Sequence, residues 1–447
     1  MIALPKLNGK IIMTIINEKI FKRMTACFIP DKSNMPSRRY DLDWLRILAF
    51  GLLILFHTGM FYVENWGWHV KSHYQSQFLE NIMLIVEPWR MAVLWVISGI
   101  SIRFILAKVS LKRFIAMRSY RLLLPLLFGI LVVVPPQLYV EMSHNGDLNM
   151  NYWQFLYAFF IESSDVFIKY PAGIWPHIDV NHLWFIRSLW QFSLLLLLFL
   201  PILNSAWIKQ VTYWIFKQHG VIAIVLVTLP IFAIQILWDN ETTRYPLGFT
   251  FMIYGYLIGW EMNFWQRLEK NLTPLCISMA VCYCAFIYFY NVYWVNTNPD
   301  EISDLIKLIG MYIYSTLRII GVLMALTFAM KFLNKKSKKL SYLNDAVYPF
   351  YILHQTIIVV AGYQLSSYNL GPFWEPFLLI IITIMGCLSG YEIIRRSVLL
   401  RAFFGLKSKK KYSPKVVQLG YITAGLLIMP LAWKVLNWSV ELVSTLI

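Results

Sequence analysis

The chain has 447 residues, of which 58% are hydrophobic and only 14% are charged. A soluble domain carries about 25% charged residues, so this composition excludes an ordinary water-soluble protein and favours one that lies within a bilayer. The formal net charge of +17 would suit a nucleic-acid partner, but no segment has the composition of a soluble basic module. We therefore expect a membrane protein with no nucleic-acid partner, and the sequence leaves its oligomeric state open.

The first element in chain order is a basic segment, residues 1–40, which we expect to be a cytoplasmic tail. Residues 41–405 follow as one membrane domain, and residues 406–447 hold a basic loop and an extra C-terminal transmembrane helix. Eleven apolar segments, with their flanks, are long enough to cross a hydrocarbon core of ~30 Å as helices. The predicted fold class is all-α, a polytopic transmembrane helix bundle. The predicted spans are centred near residues 54, 96, 131, 193, 229, 254, 282, 321, 355, 382 and 428.

Basic residues are distributed unevenly between the loops that join these spans. Most of the Lys and Arg residues fall in alternate loops, which the positive-inside rule places in the cytoplasm. This distribution predicts a multi-pass protein of the cell inner membrane, in contact with the lipid bilayer and with a cytoplasmic N-terminus. The only Lys and Arg residues in the predicted outward loops are Lys71, Lys169, Arg244 and Lys307.

The first predicted span carries Arg46 and His57 on one helical face, because eleven residues correspond to ~16 Å of rise and only ~20° of net rotation. Asp43 lies one turn before Arg46 and can pair with it. An ionisable residue deep in a membrane is costly and is a functional-site hypothesis by default. The alternative is a neutral histidine whose ring is satisfied by a neighbouring helix.

Two arginines one turn apart, Arg118 and Arg121, lie at the inner end of the third predicted span, after Lys112 and Arg113. Such a pair of guanidinium groups suits bidentate phosphate binding. Positive-inside anchoring explains the same residues without any ligand, so these arginines alone do not decide between the two interpretations.

Two outward loops, residues 62–80 and 141–182, are rich in aromatic residues and lie on the same predicted side of the membrane. We expect an extracytoplasmic ligand to bind there. The side chains that we single out in these loops, or just after them, are Trp68, His69, His182 and Trp184.

Ionisable residues also recur in other predicted spans. Glu87 and Arg90 are one turn apart, so one alternative is that they neutralise each other. His354 lies in the ninth predicted span and Glu392 in the tenth. Each is a candidate functional residue because polar groups at such depths are expensive.

Taken in order, these residues resemble the acyltransferase-3 family of membrane acyltransferases, and within it the branch that modifies periplasmic glucans. The resemblance runs from about Asp41 to Phe404 and implies a ten-helix core, which the predicted helix after Lys415 exceeds. Each motif is weak alone, but the whole set in order is specific. The residues that carry the resemblance are Leu42–Arg46, the Arg-x10-His spacing that ends at His57, Trp68-His69-Val70, Arg90, Ser98-Gly99, Arg118 and Arg121, His182-Leu183-Trp184-Phe185, His354, and Tyr391-Glu392.

This resemblance implies that an acyl group moves from cytoplasmic acyl-CoA to a hydroxyl of an extracytoplasmic glycan. Acyl-CoA would then be a co-substrate, with succinyl and acetyl as the candidate acyl groups, and no cofactor or metal would be permanently bound. The phosphates of coenzyme A would bind the basic residues at the inner mouth, namely Arg113, Arg118 and Arg121.

The resemblance also implies roles closer to the chemistry. His57 would act as a general base towards the sugar hydroxyl or accept the acyl group itself. Arg46 or Arg90 would stabilise the oxyanion or steer the donor. The sugar would be held by Trp68, His69, His182 and Trp184, and the remaining candidate site residues are His354 and Glu392.

Two other classes of protein remain open. A secondary transporter or glycan exporter would use buried His, Arg and Glu residues as a relay, although such proteins often show paired half-sequence repeats with broken helices, and we see no such symmetry. A signalling or scaffold protein would not need polar residues aligned at several depths. Binding of coenzyme A through the cytoplasmic face would separate the acyltransferase from the transporter.

Overall fold

The computed structural model describes Pro30 and residues 35–160, 165–170, 178–238 and 242–406. Within these ranges the regular structure is entirely helical, which confirms the predicted all-α class. Most of the predicted N-terminal tail, parts of the long outward loop and the predicted span near residue 428 lie outside the described residues. The predicted domain limits near residues 40 and 405 stay predictions.

The helices follow the order of the predicted spans, and three of the spans continue into a short π-helical segment. These segments are Gly129–Val133, Tyr290–Val295 and Ala329–Leu333. The α-helices are α1 (Tyr40–Met60), α2 (Gln77–Met83), α3 (Glu87–Leu106), α4 (Leu111–Phe128), α5 (Pro135–His144), α6 (Tyr152–Phe160), α7 (Trp184–Leu203), α8 (Ala206–Lys217), α9 (Gly220–Leu237), α10 (Arg244–Ile258), α11 (Met262–Glu269), α12 (Leu272–Phe289), α13 (Asp304–Phe328), α14 (Leu340–Ser366), α15 (Gly371–Arg396) and α16 (Val398–Phe403).

In the described part of the chain, 9 helical segments are long and apolar enough to cross a membrane. They coincide with predicted spans, so the polytopic helical bundle is confirmed. The predicted span near residue 254 is α10, which has only 15 residues. Such a helix rises about 22 Å, so α10 crosses less of a ~30 Å hydrocarbon core than the sequence predicted.

Helices α3 and α10 pack with their backbones in direct contact. A Cβ atom added at Gly99 would lie 2.0 Å from the carbonyl oxygen of Met252, and one added at Gly255 would lie 2.0 Å from that of Val96. Small residues permit such close approach between membrane helices. The Ser-Gly motif of the sequence therefore has a packing role at Gly99.

One end of the bundle gathers basic side chains. Arg46, near the start of α1, donates from Nη2 to the Ser101 hydroxyl at 2.9 Å, and Arg103 donates to carbonyl oxygens at the C-terminal end of α10. Arg118 of α4 lies close enough to Arg46 for their charges to repel. We call this the basic end of the bundle, and the opposite end, where α3 and α10 begin, the far end.

Helices α1 and α14 run side by side in the same direction, from the basic end to the far end. Tyr348 of α14 lies near the basic end, where its hydroxyl is 3.3 Å from the carbonyl oxygen of Arg121. Further along, Gly362 of α14 lies against the ring of Phe61, just after α1. This register brings the second half of α1 against the middle of α14, where the candidate site forms.

Candidate active site

His57 of α1 and His354 of α14 face each other in this region. Nδ1 of His57 lies 2.8 Å from Nε2 of His354, and the two rings are stacked with 11° between their planes. His354 is fully buried and His57 is partly buried. The sequence predicted both residues as candidates on separate spans, but only the fold pairs them.

The hydrogen-bond partners of His354 determine which nitrogen of each neutral ring carries a proton. Nδ1 of His354 lies 2.8 Å from the carbonyl oxygen of Tyr351 and 3.1 Å from that of Phe350. Because a carbonyl oxygen only accepts, this Nδ1 must be the donor, and Nε2 of His354 then accepts from Nδ1 of His57. His57 is left with a lone pair on Nε2, for which the described residues supply no hydrogen-bond partner.

A cavity of about 240 Å³ lies beside His57. Its charged lining is mainly cationic, because three arginines face it together with a single glutamate. One of these arginines, Arg318 of α13, was not singled out from the sequence. The predicted residues that line this cavity are His57, Arg90, His182 and Trp184, and the other charged lining residues are Glu87, Arg244 and Arg318.

Arg90 is the cation nearest to the chemistry that His57 could perform. Its guanidinium lies 3.5 Å from the centre of the Phe56 ring, a cation–π contact, and its charge acts on His57. In the described residues Arg90 has no carboxylate within ion-pair distance, although the charge of Glu87, one turn away, acts on it. The Glu87 carboxylate accepts the hydroxyl of Tyr314. Arg90 is therefore placed to interact with negative charge that develops near His57.

A network of buried amides lies behind the histidine pair. Nε2 of Gln355 lies 2.9 Å from Oδ1 of Asn181 and 3.2 Å from Oε1 of Gln137. Nε2 of Gln137 in turn donates to the Thr356 hydroxyl at 2.6 Å. This network joins α5, α14 and the segment before α7, so it fixes the walls of the site.

His182 is held by the same network rather than left free. Its Nε2 donates to the carbonyl oxygen of Ile352 at 3.0 Å, and its Nδ1 lies 3.3 Å from Nε2 of Gln137. Its ring centroid is 5.5 Å from that of His354. Both ring nitrogens of His182 thus have protein partners. His182 therefore lines the cavity with its ring and not with a free nitrogen.

Trp68, in the loop after α1, packs against the ring of His57 and also contacts His69. The Trp68 ring centroid is 5.4 Å from that of His57 and 5.3 Å from that of His69. His69 contacts the carboxylate of Glu141 through Nδ1, and its Nε2 lies 3.2 Å from Nδ2 of Asn181. Asn181 adopts a φ of 44°, a left-handed conformation that asparagine tolerates better than most residues. The predicted residues Trp68, His69 and His182 are therefore brought together, largely in contact with protein groups.

The remaining predicted cations lie at the basic end. Arg113 and Arg121 are exposed and Arg118 is partly buried, with its Nε lacking a hydrogen-bond partner among the described residues. Arg46 joins this group, and its Nη1 is 3.8 Å from the carboxylate of Asp43. Because about 16 Å of helix separates Arg46 from His57, the structure groups Arg46 with the basic end and not with the histidine pair.

Glu392 lies apart from the cavity, near the basic end of α15. Its carboxylate pairs with Arg395 at 2.9 Å and with Arg396 at 3.0 Å, and it accepts the Tyr342 hydroxyl at 2.8 Å. These contacts already account for both of its oxygens, so the geometry gives Glu392 a structural role in joining α14 and α15.

Sequence reasoning missed several residues of the site. Gln137, Gln355 and Arg318 carried a usable signal, because amides and cations inside apolar segments are rare and are usually functional. Asn181 and Tyr351 carried no such signal. The Tyr351 hydroxyl donates to the carbonyl oxygen of His182, a contact that only the packing of α14 against α7 creates.

The fold and the site define a polytopic helical membrane protein with a histidine and arginine cavity within the bundle. Residues 39–392 match the family model described as an acyltransferase domain. The chain belongs to this family, which confirms the predicted resemblance and makes it a membrane acyltransferase.

The similar proteins include glucans biosynthesis protein C from several Salmonella strains. The chain is 24% identical over 411 residues to that of Salmonella paratyphi B and to that of Salmonella dublin, and 23% identical to that of Salmonella heidelberg. Each alignment covers 85% of this chain and 98% of the relative. No solved structure matches the chain.

Proposed function

We propose that this protein transfers an acyl group from acyl-CoA, bound at the basic end, to a hydroxyl of an extracytoplasmic glycan that enters from the far end. The observation that carries the proposal is the oriented His57 ring, whose Nδ1 is held by His354 while the residue lines a cavity. The positive-inside rule supports a cytoplasmic basic end and an inner-membrane location. The printed name of the Salmonella relatives, glucans biosynthesis protein C, supports a glucan as the acceptor.

The donor site in this proposal is the group of arginines at the basic end. Coenzyme A carries several phosphate charges, and Arg113, Arg118 and Arg121 present guanidinium groups on one short stretch of α4. Arg46 adds a fourth cation from α1. Such charge-assisted contacts bind phosphates strongly, and the described residues offer Arg118 no carboxylate partner.

The thioester arm would follow the face of α1 that joins Arg46 to His57. This face carries Phe50, whose ring centroid lies 5.5 Å from that of Tyr351 and 6.4 Å from that of Phe185. The three rings fill the route between the basic end and the cavity. Donor binding therefore requires these aromatic side chains to shift, which also keeps the route closed to water without the donor.

In the proposed reaction His57 first accepts a proton and later donates it. Nε2 of His57 takes the proton of the sugar hydroxyl while the oxygen attacks the thioester carbonyl carbon. Arg90 stabilises the oxyanion that forms. The carbon–sulfur bond then breaks, and the leaving thiolate of coenzyme A receives the proton from His57. In a covalent route, Nε2 of His57 attacks the thioester carbon and coenzyme A leaves as the thiolate. The sugar hydroxyl then attacks the acyl carbon, the carbon–nitrogen bond breaks, and the hydroxyl proton passes to the thiolate.

The cationic lining of the cavity beside His57 favours an acyl group that carries a negative charge. A succinyl group would bring a free carboxylate into a cavity that Arg90, Arg244 and Arg318 line, whereas an acetyl group would leave these cations unmatched. The proposal therefore includes succinyl as the preferred acyl group and acetyl as the alternative.

The test is transfer of radiolabelled succinyl or acetyl groups from acyl-CoA to a neutral glucan by the purified protein in lipid nanodiscs. His57→Ala should lower transfer by about 10²–10⁴-fold, while the protein still folds and inserts into the membrane. His73→Ala is the matched control, because His73 is an exposed histidine in the loop after α1. Full activity of His57→Ala would contradict the proposal. So would movement of unmodified glucan across the membrane of sealed proteoliposomes with no labelled product.

A further inference from the structure

A second cavity of about 430 Å³ lies at the far end, between α1, α12 and α13. We call it the aromatic cavity, because its walls are mostly aromatic side chains. It shares Glu87 and Arg90 with the cavity beside His57, so the two cavities are neighbours. The aromatic residues that line it include Phe56, Trp66, Phe286, Tyr290, Trp294 and Tyr314.

The floor and mouth of the aromatic cavity are polar. Glu87, Arg90 and Gln235 line it on the side that faces the first cavity, and Lys307 lies near the start of α13, at the far end. A lipid tail in this space would lie against buried charges, which is costly. A ligand with apolar faces and a polar rim would match both the walls and the floor.

Hydrogen bonds hold the aromatic walls in place. Nε1 of Trp66 donates to the Tyr290 hydroxyl at 2.8 Å, and that hydroxyl donates to the buried carboxylate of Glu80. The backbone N–H of Asn65 donates to the same carboxylate at 2.8 Å. Because the rings are fixed before a ligand arrives, binding loses less conformational entropy.

We propose that the aromatic cavity binds a neutral sugar unit of the acceptor next to the unit that is acylated. This inference rests on the proposed function. A pyranose ring has apolar C–H faces and a rim of hydroxyls, so it can lie on aromatic rings. Its hydroxyls would bind Oε1 of Glu87, Nε2 of Gln235 and the Arg90 guanidinium, because Oε2 of Glu87 and Oε1 of Gln235 already accept hydrogen bonds from the protein. The volume lies in the range of about 300–1,000 Å³ that is typical of ligand pockets.

The same inference changes where the acceptor approaches. The polar atoms of His69 and His182 already contact Glu141, Gln137 and the Ile352 carbonyl, so they have little hydrogen-bonding capacity left for a sugar. The aromatic cavity instead offers unfilled volume and leads past Arg90 towards His57. The acceptor therefore enters at the far end beside the exposed Trp294, rather than over the loop that carries Trp68.

The test replaces Trp294, which lines the cavity and is 57% exposed. Its matched control is Trp374, which is 56% exposed at the start of α15 and does not line the cavity. Binding of a neutral glucose oligosaccharide to the full chain in nanodiscs is measured without donor, by isothermal titration. Trp294→Ala should weaken binding about tenfold, the scale of one lost aromatic contact, Trp294→Phe should retain most of it, and Trp374→Ala should leave it unchanged.

Kinetics then separate this inference from the proposed function. Trp294→Ala should raise the KM for the oligosaccharide about tenfold and leave the KM for acyl-CoA unchanged. Active transfer with an unaltered acceptor KM in Trp294→Ala would overturn the sugar subsite and leave the acyltransferase proposal intact. A phospholipid that co-purifies and is lost in Trp294→Ala, with no oligosaccharide binding to the unaltered chain, would also overturn it. Absence of any transfer, with oligosaccharide binding that depends on Trp294, would overturn the proposed function alone.

Discussion

The polar side chains at the basic end and those around the cavity beside His57 differ in how firmly the protein holds them. At the basic end, Arg113 and Arg121 are exposed and Arg118 is only partly buried, so these cations retain freedom to follow a ligand. Behind His57, which lines the cavity, His354 is fully buried and each of its ring nitrogens has a fixed partner. In the proposed reaction the basic end would supply binding energy, which tolerates small displacements, whereas the cavity would supply orientation, which does not.

The largest expected effect falls on the orientation of His57. In His354→Phe the Nδ1–H of His57 loses its acceptor, so the ring can rotate and take the wrong tautomer. We expect the kcat for acyl transfer to fall by about 100-fold or more, with the KM for acyl-CoA nearly unchanged.

A conservative variant sharpens that prediction. His354→Gln can still accept from Nδ1 of His57, so part of the activity should return. Equal loss in the Phe and Gln variants, at equal melting temperature, would show that the acceptor role of His354 is not what matters.

The second expected effect concerns the basic end. The double change of Arg118 and Arg121 to Ala should raise the KM for acyl-CoA by about 10–100-fold or more, because a hydrogen bond to a charged group contributes about 1.5–3 kcal/mol. Lys replacements should recover only part of this, since the bidentate geometry is lost. Lys209→Ala, an exposed cation of α8, serves as the control. An unchanged affinity for coenzyme A in the double Ala variant would locate the donor elsewhere.

The third expected effect is on stability. Gln355→Leu removes a donor from the amide network and leaves a buried acceptor on Gln137 and a partly buried one on Asn181. Each unsatisfied buried group costs about 1–3 kcal/mol, so the melting temperature of the purified protein should fall. Gln364→Leu, on the exposed side of the same helix, should leave it unchanged. Equal melting temperatures for the two variants would mean that the network does not stabilise the walls.

The smallest expected effect is at Glu392. Its ion pairs with Arg395 and Arg396 lie near the protein surface, where such pairs contribute about 0–1 kcal/mol. Glu392→Gln should therefore keep acyl transfer within about twofold and shift the unfolding midpoint only slightly. A loss as large as that of His354→Phe would give Glu392 a role in the reaction that its contacts do not suggest.

The length of most membrane spans could be predicted from the sequence, because it depends on a local run of apolar residues. Apolar runs such as those of α9 and α12 can be stable in a bilayer only as helices, and the structure has helices there. The prediction was less accurate for α10, which has only 15 residues. Its close glycine contacts with α3 are also invisible to a hydropathy average. Arg118 and Arg121 were also predictable as a pair, since one helical turn separates them.

The sequence by itself determined the membrane class, the helical fold, the family and the individual residues His57 and His354. Only the tertiary structure decided that these two histidines form a pair, because 297 positions separate them in the chain. The contacts of Arg90 with Phe56 and of Gln355 with Gln137 likewise appear only in the tertiary structure. Contacts of this kind depend on the register between packed helices, and a one-residue change in register rotates a side chain by about 100° on an α-helix. Hydrophobic patterning selects which face is buried, but the pairing of polar groups across that face is fixed only when the helices pack.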